Sequence, residues 1–338
     1  MHLRIWFTII LITLGNYLIG QDVHFSQRLA ADKERNPASV HQFEGNWQAF
    51  SVYRQQWRSI GVPFNTASFF FTKKFYTSDP ALSFFGSFNY TNDQSGDGKL
   101  SINLLSLNTG ASYRLGKNIF SIAVNNSYTL KSFNEGQLTF PGQYDRTIGG
   151  FNKQFSNGES FEGGNTSFFN LGLGSSWERR ISNRFNLISG FSVSNLIEPS
   201  ESFYELDNRK NRGYGLQFVG TYSLSEHYDL EPYLSFYRAG GASETVVGSA
   251  IILNGSSLGP VENIKPFVYL RTGPDRNSDA LILGSYADWG NFQLGASYDF
   301  NLSDLEIASN YRGGFELTLA YTGKERKLDT KRIPCVRY

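Results

Sequence analysis

Phe120-Ser121-Ile122-Ala123-Val124-Asn125-Asn126-Ser127-Tyr128-Thr129-Leu130 decides the fold. One register of this stretch reads Phe, Ile, Val, Asn, Tyr, Leu and the other Ser, Ala, Asn, Ser, Thr, a period of two that a strand produces and a helix does not. The same alternation recurs in Leu82-Phe84-Gly86-Phe88-Tyr90, Phe169-Leu171-Leu173-Ser175-Trp177, Phe185-Leu187-Ser189-Phe191-Val193 and Tyr214-Leu216-Phe218-Gly220-Tyr222-Leu224. It returns in Phe292-Leu294-Ala296-Tyr298-Phe300 and Phe315-Leu317-Leu319-Tyr321. Each opposite register is mostly Ser, Thr, Asn, Gln, Gly and Ala. A water-soluble sandwich also alternates, so the question is what the apolar register faces. Tyr, Phe and Trp gather near the ends of that register, as interfacial girdles require, and the polar register holds few long charges in mid-strand. Both features favour lipid.

Segmentation by alternation predicts fourteen strands, near 48–57, 64–76, 81–91, 100–114, 118–131, 167–179, 184–195, 212–224, 227–238, 244–253, 262–271, 279–287, 291–300 and 313–322. Joins at Ser78-Asp79, Gly116-Lys117, Ser182-Asn183, Ser225-Glu226 and Trp289-Gly290 are short. They alternate with longer ones at 92–99, 133–166, 196–211, 272–278 and 301–312. Short periplasmic turns and longer outer loops give this polarity in outer-membrane barrels, and an even strand count then puts both ends in the periplasm. The brief join at Ala239-Gly240 and the longer 254–261 break the pattern. The expected fold is an all-β, antiparallel transmembrane barrel.

Composition agrees. Aromatics make up 16% of the 338 residues and 34 Gly are spread along the chain, which suits many short strands and turns. No segment has the roughly 18 consecutive apolar residues of a spanning helix, and a mean hydropathy of -0.33 does not argue against a barrel, whose faces alternate. A net charge of +1 gives no overall field for nucleic acid. His2 and Arg4 lead into the apolar run Ile5–Leu14, with Gly20 before Gln21, and this reads as a signal peptide over 1–20; a retained anchor is the alternative. The lone Cys335 excludes an internal disulfide framework. The expected organisation is thus a signal peptide (1–20), a periplasmic N-terminal segment (21–46) that either plugs the lumen or leaves it open, a barrel (47–323) and a basic periplasmic tail (324–338).

Little in the chain points to catalysis. Gly255-Ser256-Ser257-Leu258-Gly259 matches the G-x-S-x-G nucleophile pattern, but Pro260 and another strand follow where the motif needs a helix, and no His occurs after His227. Asp93-Gln94-Ser95-Gly96-Asp97-Gly98 lacks the terminal Glu of a calcium loop and reads as an acidic turn. His2, His24, His41 and His227 show no metal-ligand spacing. No cofactor is expected. The long join 133–166, with GQYDRTIGG and NGESFEGGN, is either a plain outer loop or a binding lid.

Gln21-Asp22-Val23-His24-Phe25-Ser26-Gln27, Asn36-Pro37-Ala38, Gly45 and Tyr53-Arg54-Gln55-Gln56-Trp57 follow one another near the start. Ala296–Ser303, Ala308-Ser309-Asn310, Gly313–Leu317 and Pro334-Cys335 close the chain. In this order the motifs resemble the PorP/SprF family of type IX secretion system outer-membrane proteins of Bacteroidetes. The resemblance implies a non-enzymatic outer-membrane component that supports export or attachment of particular surface proteins. Such cargo includes gliding adhesins with type-B C-terminal sorting domains. It also implies work beside the periplasmic ring lipoproteins and peptidoglycan-linked components of the machine. A general porin remains the main alternative, and an exported soluble β-sandwich binding module the weaker one.

The signatures also have plain readings. Asn36-Pro37 makes a turn before strand one; Tyr53, Arg54 and Trp57 form girdle aromatics around one lumenal charge or else a partner contact; Asp299 and Asn301 fix a strand end. In the tail, Lys324, Arg326, Lys327, Lys331, Arg332 and Arg337 would meet an acidic periplasmic partner or form a solvated charge run, and Cys335 would tuck against the rim or touch another protein.

Overall fold

The computed structural model describes residues 24–323 apart from 59–60, 97, 135, 137, 157–163, 204–207, 256–259, 274–275 and 304–308. The G-x-S-x-G stretch and the basic tail with Cys335 therefore lie wholly or largely outside the described residues.

A short helix, α1 (Arg28–Arg35), and a 3-10 turn (Pro37–Ser39) precede the strands. The strands are β1 (Trp47–Gln56), β2 (Phe64–Tyr76), β3 (Leu82–Ser95), β4 (Leu100–Leu115) and β5 (Asn118–Ser132). Two two-residue strands, β6 (Tyr144–Asp145) and β7 (Gly150–Phe151), form a hairpin within the long join. Then come β8 (Asn165–Arg180), β9 (Phe185–Ser194), β10 (Gly213–Ser223), β11 (Tyr228–Ala239), β12 (Ala242–Asn254), β13 (Asn263–Gly273), β14 (Arg276–Trp289), β15 (Phe292–Asn301) and β16 (Arg312–Gly323).

All but β6 and β7 close into one barrel in which each strand pairs antiparallel with its neighbours and β16 returns to β1. Every expected strand is present, within a few residues of its expected ends. The two irregular joins are genuine: Ala239 pairs with Ala242 across a tight turn in which Gly240 has φ +57°, and Asn254 pairs with Asn263 across a longer one.

Alternation sorts side chains between two surroundings. On β4, Leu105 and Leu107 point outward and are exposed while Ser106 and Asn108 are buried within; on β5 Ile122 is 64% exposed and Ala123 buried. A surface of outward Phe, Leu, Ile, Val and Tyr on every barrel strand is intolerable in water, since burying each such side chain is worth about 1.5–3 kcal/mol. It suits hydrocarbon, and the barrel leaves no strand edge unpaired there. At the mouth bearing the mostly short joins, Phe71, Trp47, Tyr321, Phe292 and Trp289 form a continuous aromatic chain with ring centroids 4.9–5.9 Å apart. Such rings are at home at a membrane interface.

Candidate functional site

The inner surface of the barrel is not empty. Residues 24–43 run through it and touch inward-facing groups on strands around the circumference, so the segment expected as periplasmic lies inside the wall. Its direction is fixed at both ends. Ser26 meets Arg54, Arg271 and Asp299, each two residues short of a strand end at the long-loop mouth. At the short-turn mouth the Asn46 N–H donates to the Gly323 carbonyl at 2.9 Å and the Lys74 N–H to the Asn46 carbonyl at 2.7 Å, after which β1 begins.

The local sequence explains the shape of the segment. Helix α1 starts after Gln27, whose side chain does not cap it because its amide donates to the Glu316 carbonyl (3.1 Å) and accepts from Thr318 Oγ1 (2.8 Å). Glu316 takes that role, accepting the Ser26 and Gln27 N–H groups, each at 2.9 Å, so a carboxylate sits where the helix dipole favours one. The helix stops at Asn36, which is extended (φ -124°, ψ 108°) because Pro37 follows. The Asn36 side chain then accepts from Ala38 N (2.9 Å) and donates to the Ser175 carbonyl of the wall (3.1 Å). Asn36-Pro37 is thus a turn, as expected, but within the lumen. Wall glycines make room for it: a Cβ on Gly174 would stand 2.1 Å from Asn36 Oδ1 and 2.7 Å from the Pro37 ring.

Above the helix lies a cluster of buried charge with one hydroxyl at its centre. Ser26 Oγ donates to Asp299 Oδ2 (2.6 Å) and accepts from Arg54 Nη1 (2.6 Å) and Arg271 Nη1 (3.0 Å), which fills its single donor and both lone pairs. Arg54 also pairs with Asp299 (2.7 Å) and Glu316 (3.1 Å), and Arg271 with Asp299 (3.1 Å) and Asp279 (2.7 Å). Arg54 is 1% exposed and Glu316 not at all. Charges so buried persist only when paired and hydrogen-bonded.

Lower down, Arg28 bridges Asp32 (3.2 Å) and Glu231 (3.1 Å), Tyr233 donates to Asp32 (2.8 Å), and Arg35 pairs with Glu244 (2.7 Å). Leu29 packs on an apolar inner patch that includes Val219, Phe267, Tyr269, Ile282 and Tyr286. The exit end is fixed without ion pairs. His41 stacks on Phe85 at 4.3 Å and its Nε2 lies 3.1 Å from Ser112 Oγ and 3.3 Å from Ser121 Oγ. Among the described residues no group of three His, Cys, Asp or Glu could hold a metal.

A lumen threaded by the chain's own start, inside a lipid-facing barrel, is the geometry to set beside known proteins. A profile of the type IX secretion system membrane protein PorP/SprF matches residues 18–321. The chain belongs to the PorP/SprF family. No curated protein matches it in sequence. Among solved structures it is similar in fold to the deltaS2S3 mutant of the TodX monoaromatic hydrocarbon channel (TM-score 0.52, 10% identity, 88% of this chain and 94% of that one), TodX being a Pseudomonas putida protein. It is also similar to the CymD monoaromatic hydrocarbon channel (TM-score 0.51, 8% identity, 90% and 95%). At such identity these likenesses concern the fold alone.

The structure separates the candidate residues of this PorP/SprF chain. Tyr53 faces outward and its hydroxyl donates to Asn65 of β2 (3.0 Å). Trp57, half-buried just past β1 with φ +60°, donates its backbone N–H to the Gly313 carbonyl (3.2 Å). Arg54 is the lumenal charge, engaged by this chain's own Ser26, Asp299 and Glu316. Asn301 does fix a strand end, accepting from Ser303 N (3.1 Å), but Asp299 does not; it is an ion-pair partner of two arginines. Lys324, Arg326, Lys327, Lys331, Arg332, Cys335 and Arg337 lie outside the described residues. Sequence reasoning missed Ser26, Arg271 and Glu316. The signal was available: Arg54, Arg271, Asp299 and Glu316 each fall in the polar register of a predicted strand, and a charge there needs a partner inside.

Proposed function

We propose that this protein is a non-enzymatic outer-membrane component of the type IX secretion system that supports export or surface attachment of specific cargo, such as adhesins with type-B C-terminal sorting domains. On this reading the short-turn mouth faces the periplasm and meets the ring lipoproteins and peptidoglycan-linked components of the machine. Family membership supports the class. The observation that carries the choice over a general porin is the threaded lumen: residues 24–43, pinned by buried ion pairs at one end and by His41 at the other, fill the route a small solute would take. The basic tail after Gly323 would then meet an acidic periplasmic partner, with deletion of Lys324–Tyr338 leaving an inserted barrel that no longer co-purifies with the ring.

The test pairs two measurements. A deletion strain is expected to lose a defined subset of surface proteins from its secreted fraction, and purified protein in planar bilayers is expected to show no steady open-pore conductance. Steady conductance together with an unchanged set of surface proteins would instead identify a porin.

A further inference from the structure

One sector of the barrel's outer wall carries a groove. Across β4, β5, β8, β9 and β10 the outward register sets the small residues Ala111, Ser175 and Ser189 among large ones, as Ser285 and Ala296 are set on β14 and β15. Ser175 is paired between Ile122 and Phe191, and Ser189 between Trp177 and Phe218. The result is a groove of about 530 Å³ in the lipid-facing surface, floored by the small residues and walled by rings. That volume lies in the ~300–1,000 Å³ range of built ligand pockets.

Beyond the groove, toward the short-turn mouth, the chemistry changes. On β8 the outward positions run Ser175, Trp177, Arg179, so a cation stands next beyond the groove. Around it are Lys117 and Arg184 in the joins, both exposed, while Arg114 and Arg180 are exposed at the strand ends in the inward register. Among the described residues none of these five is in an ion pair. The one acid of the sector, Glu178, is in the inward register and accepts from Asn186 at 3.2 Å. Elsewhere on this mouth the joins carry Asp79, Glu226 and Glu262, and the strand ends carry Asp288 on β14 and Lys73 on β2. An apolar slot continuous with an unneutralised cationic rim matches one kind of molecule, an amphiphile with a hydrocarbon chain and an anionic head.

We propose that this sector is a binding site for an anionic glycerophospholipid of the leaflet at the short-turn face. An acyl chain lies along Ser175 and Ser189, and the headgroup phosphate accepts from Arg179 and its neighbours. Guanidinium groups suit phosphate geometrically, and each cation near an anionic lipid surface strengthens binding about fivefold. The site goes beyond the secretion reading, needing only that the barrel sits in lipid.

The test is native mass spectrometry of the full chain released from detergent after incubation with phosphatidylglycerol, phosphatidylcholine or glycerol phosphate. Phosphatidylglycerol adducts are expected to survive activation that strips phosphatidylcholine, and glycerol phosphate is expected not to bind. The triple variant Lys117→Glu, Arg179→Glu, Arg184→Glu should cut phosphatidylglycerol retention at least tenfold. Ser175→Trp with Ser189→Trp, which fills the groove without touching charge, should cut it comparably. Both variants change outward or rim positions, and heat-modifiable gel migration verifies that each is folded. Equal retention of both lipids would mean annular lipid only, and binding of glycerol phosphate alone would mean a head-group patch; either overturns the proposal. So would loss of co-purifying proteins from the charge variant with its lipid retention unchanged, which would make the rim a protein-docking surface.

Discussion

Two sectors of the lumen wall use their side chains in different ways. On β2 to β5 the inward residues are mostly Ser, Thr and Asn, bonded to one another across strands: Ser68 with Thr91 (2.6 Å), Thr72 with Ser87 (2.9 Å), Asn125 with Asn108 (2.8 Å). On β10 to β16 and on β1 they are aromatics and charges, and many of their partners belong to the threaded segment: Arg28 for Glu231, Arg35 for Glu244, Ser26 for Arg54 and Arg271. The first mostly satisfies itself, with contacts to His41 and the Phe43 carbonyl and one amide bond from Asn89 to Glu34. The second is complete only with residues 24–43 in place, because a charge left buried without its partner is far costlier than a lost surface contact.

The largest effect should follow from breaking the dependent sector at its centre. Arg54→Ala takes from Glu316 its arginine and from Asp299 one of its two, and is expected to cost about 3–5 kcal/mol, read as a lowered temperature for the gel shift between folded and unfolded barrel and as protease cutting within residues 24–43. Gly174→Leu comes next, since its side chain must enter the space of Asn36 and Pro37; about 1–3 kcal/mol of overpacking is expected, with easier proteolysis of the segment but an intact barrel. Ser26→Ala removes one hydroxyl with three bonds and should cost on the order of 1–3 kcal/mol, with thiol labelling of a Cys placed at position 25 reporting the loosened end. The smallest effect belongs to the more independent sector. Ser68→Ala should cost about 1 kcal/mol, and adding Thr91→Val should restore most of it, because deleting both partners leaves nothing unsatisfied. If Ser68→Ala released the segment as readily as Arg54→Ala, the contrast between the sectors would fail.

The strands were legible because lipid and lumen impose a strict period of two, so Phe120–Leu130 could be assigned without knowing its neighbours. The joins were legible for a related reason, since their lengths follow which mouth they serve. The threading was not. Nothing in the charged run Ala30-Ala31-Asp32-Lys33-Glu34-Arg35 says that the helix lies inside a barrel, because its partners, Glu231, Tyr233, Glu244 and Asn89, are some 55 to 209 residues away. Asp299 illustrates the same limit: beside Asn301 it looks like local punctuation, and only the curvature of the sheet brings Arg54 and Arg271 to it.

The pairing of Arg54 with Glu316 has one more consequence. These two residues stand directly opposite each other where the first and last strands meet, and both hold the Ser26-Gln27 backbone or side chain. Joining those strands closes the longest loop in the chain and is the step least favoured by entropy. A one-residue slip there would swing Glu316 into hydrocarbon and bring Phe315 inward. Residues 26 and 27, made first and already beside β1, thus act as a gauge for the strand made last, accepting it in a single alignment and turning the seam of the barrel into its best-defined register.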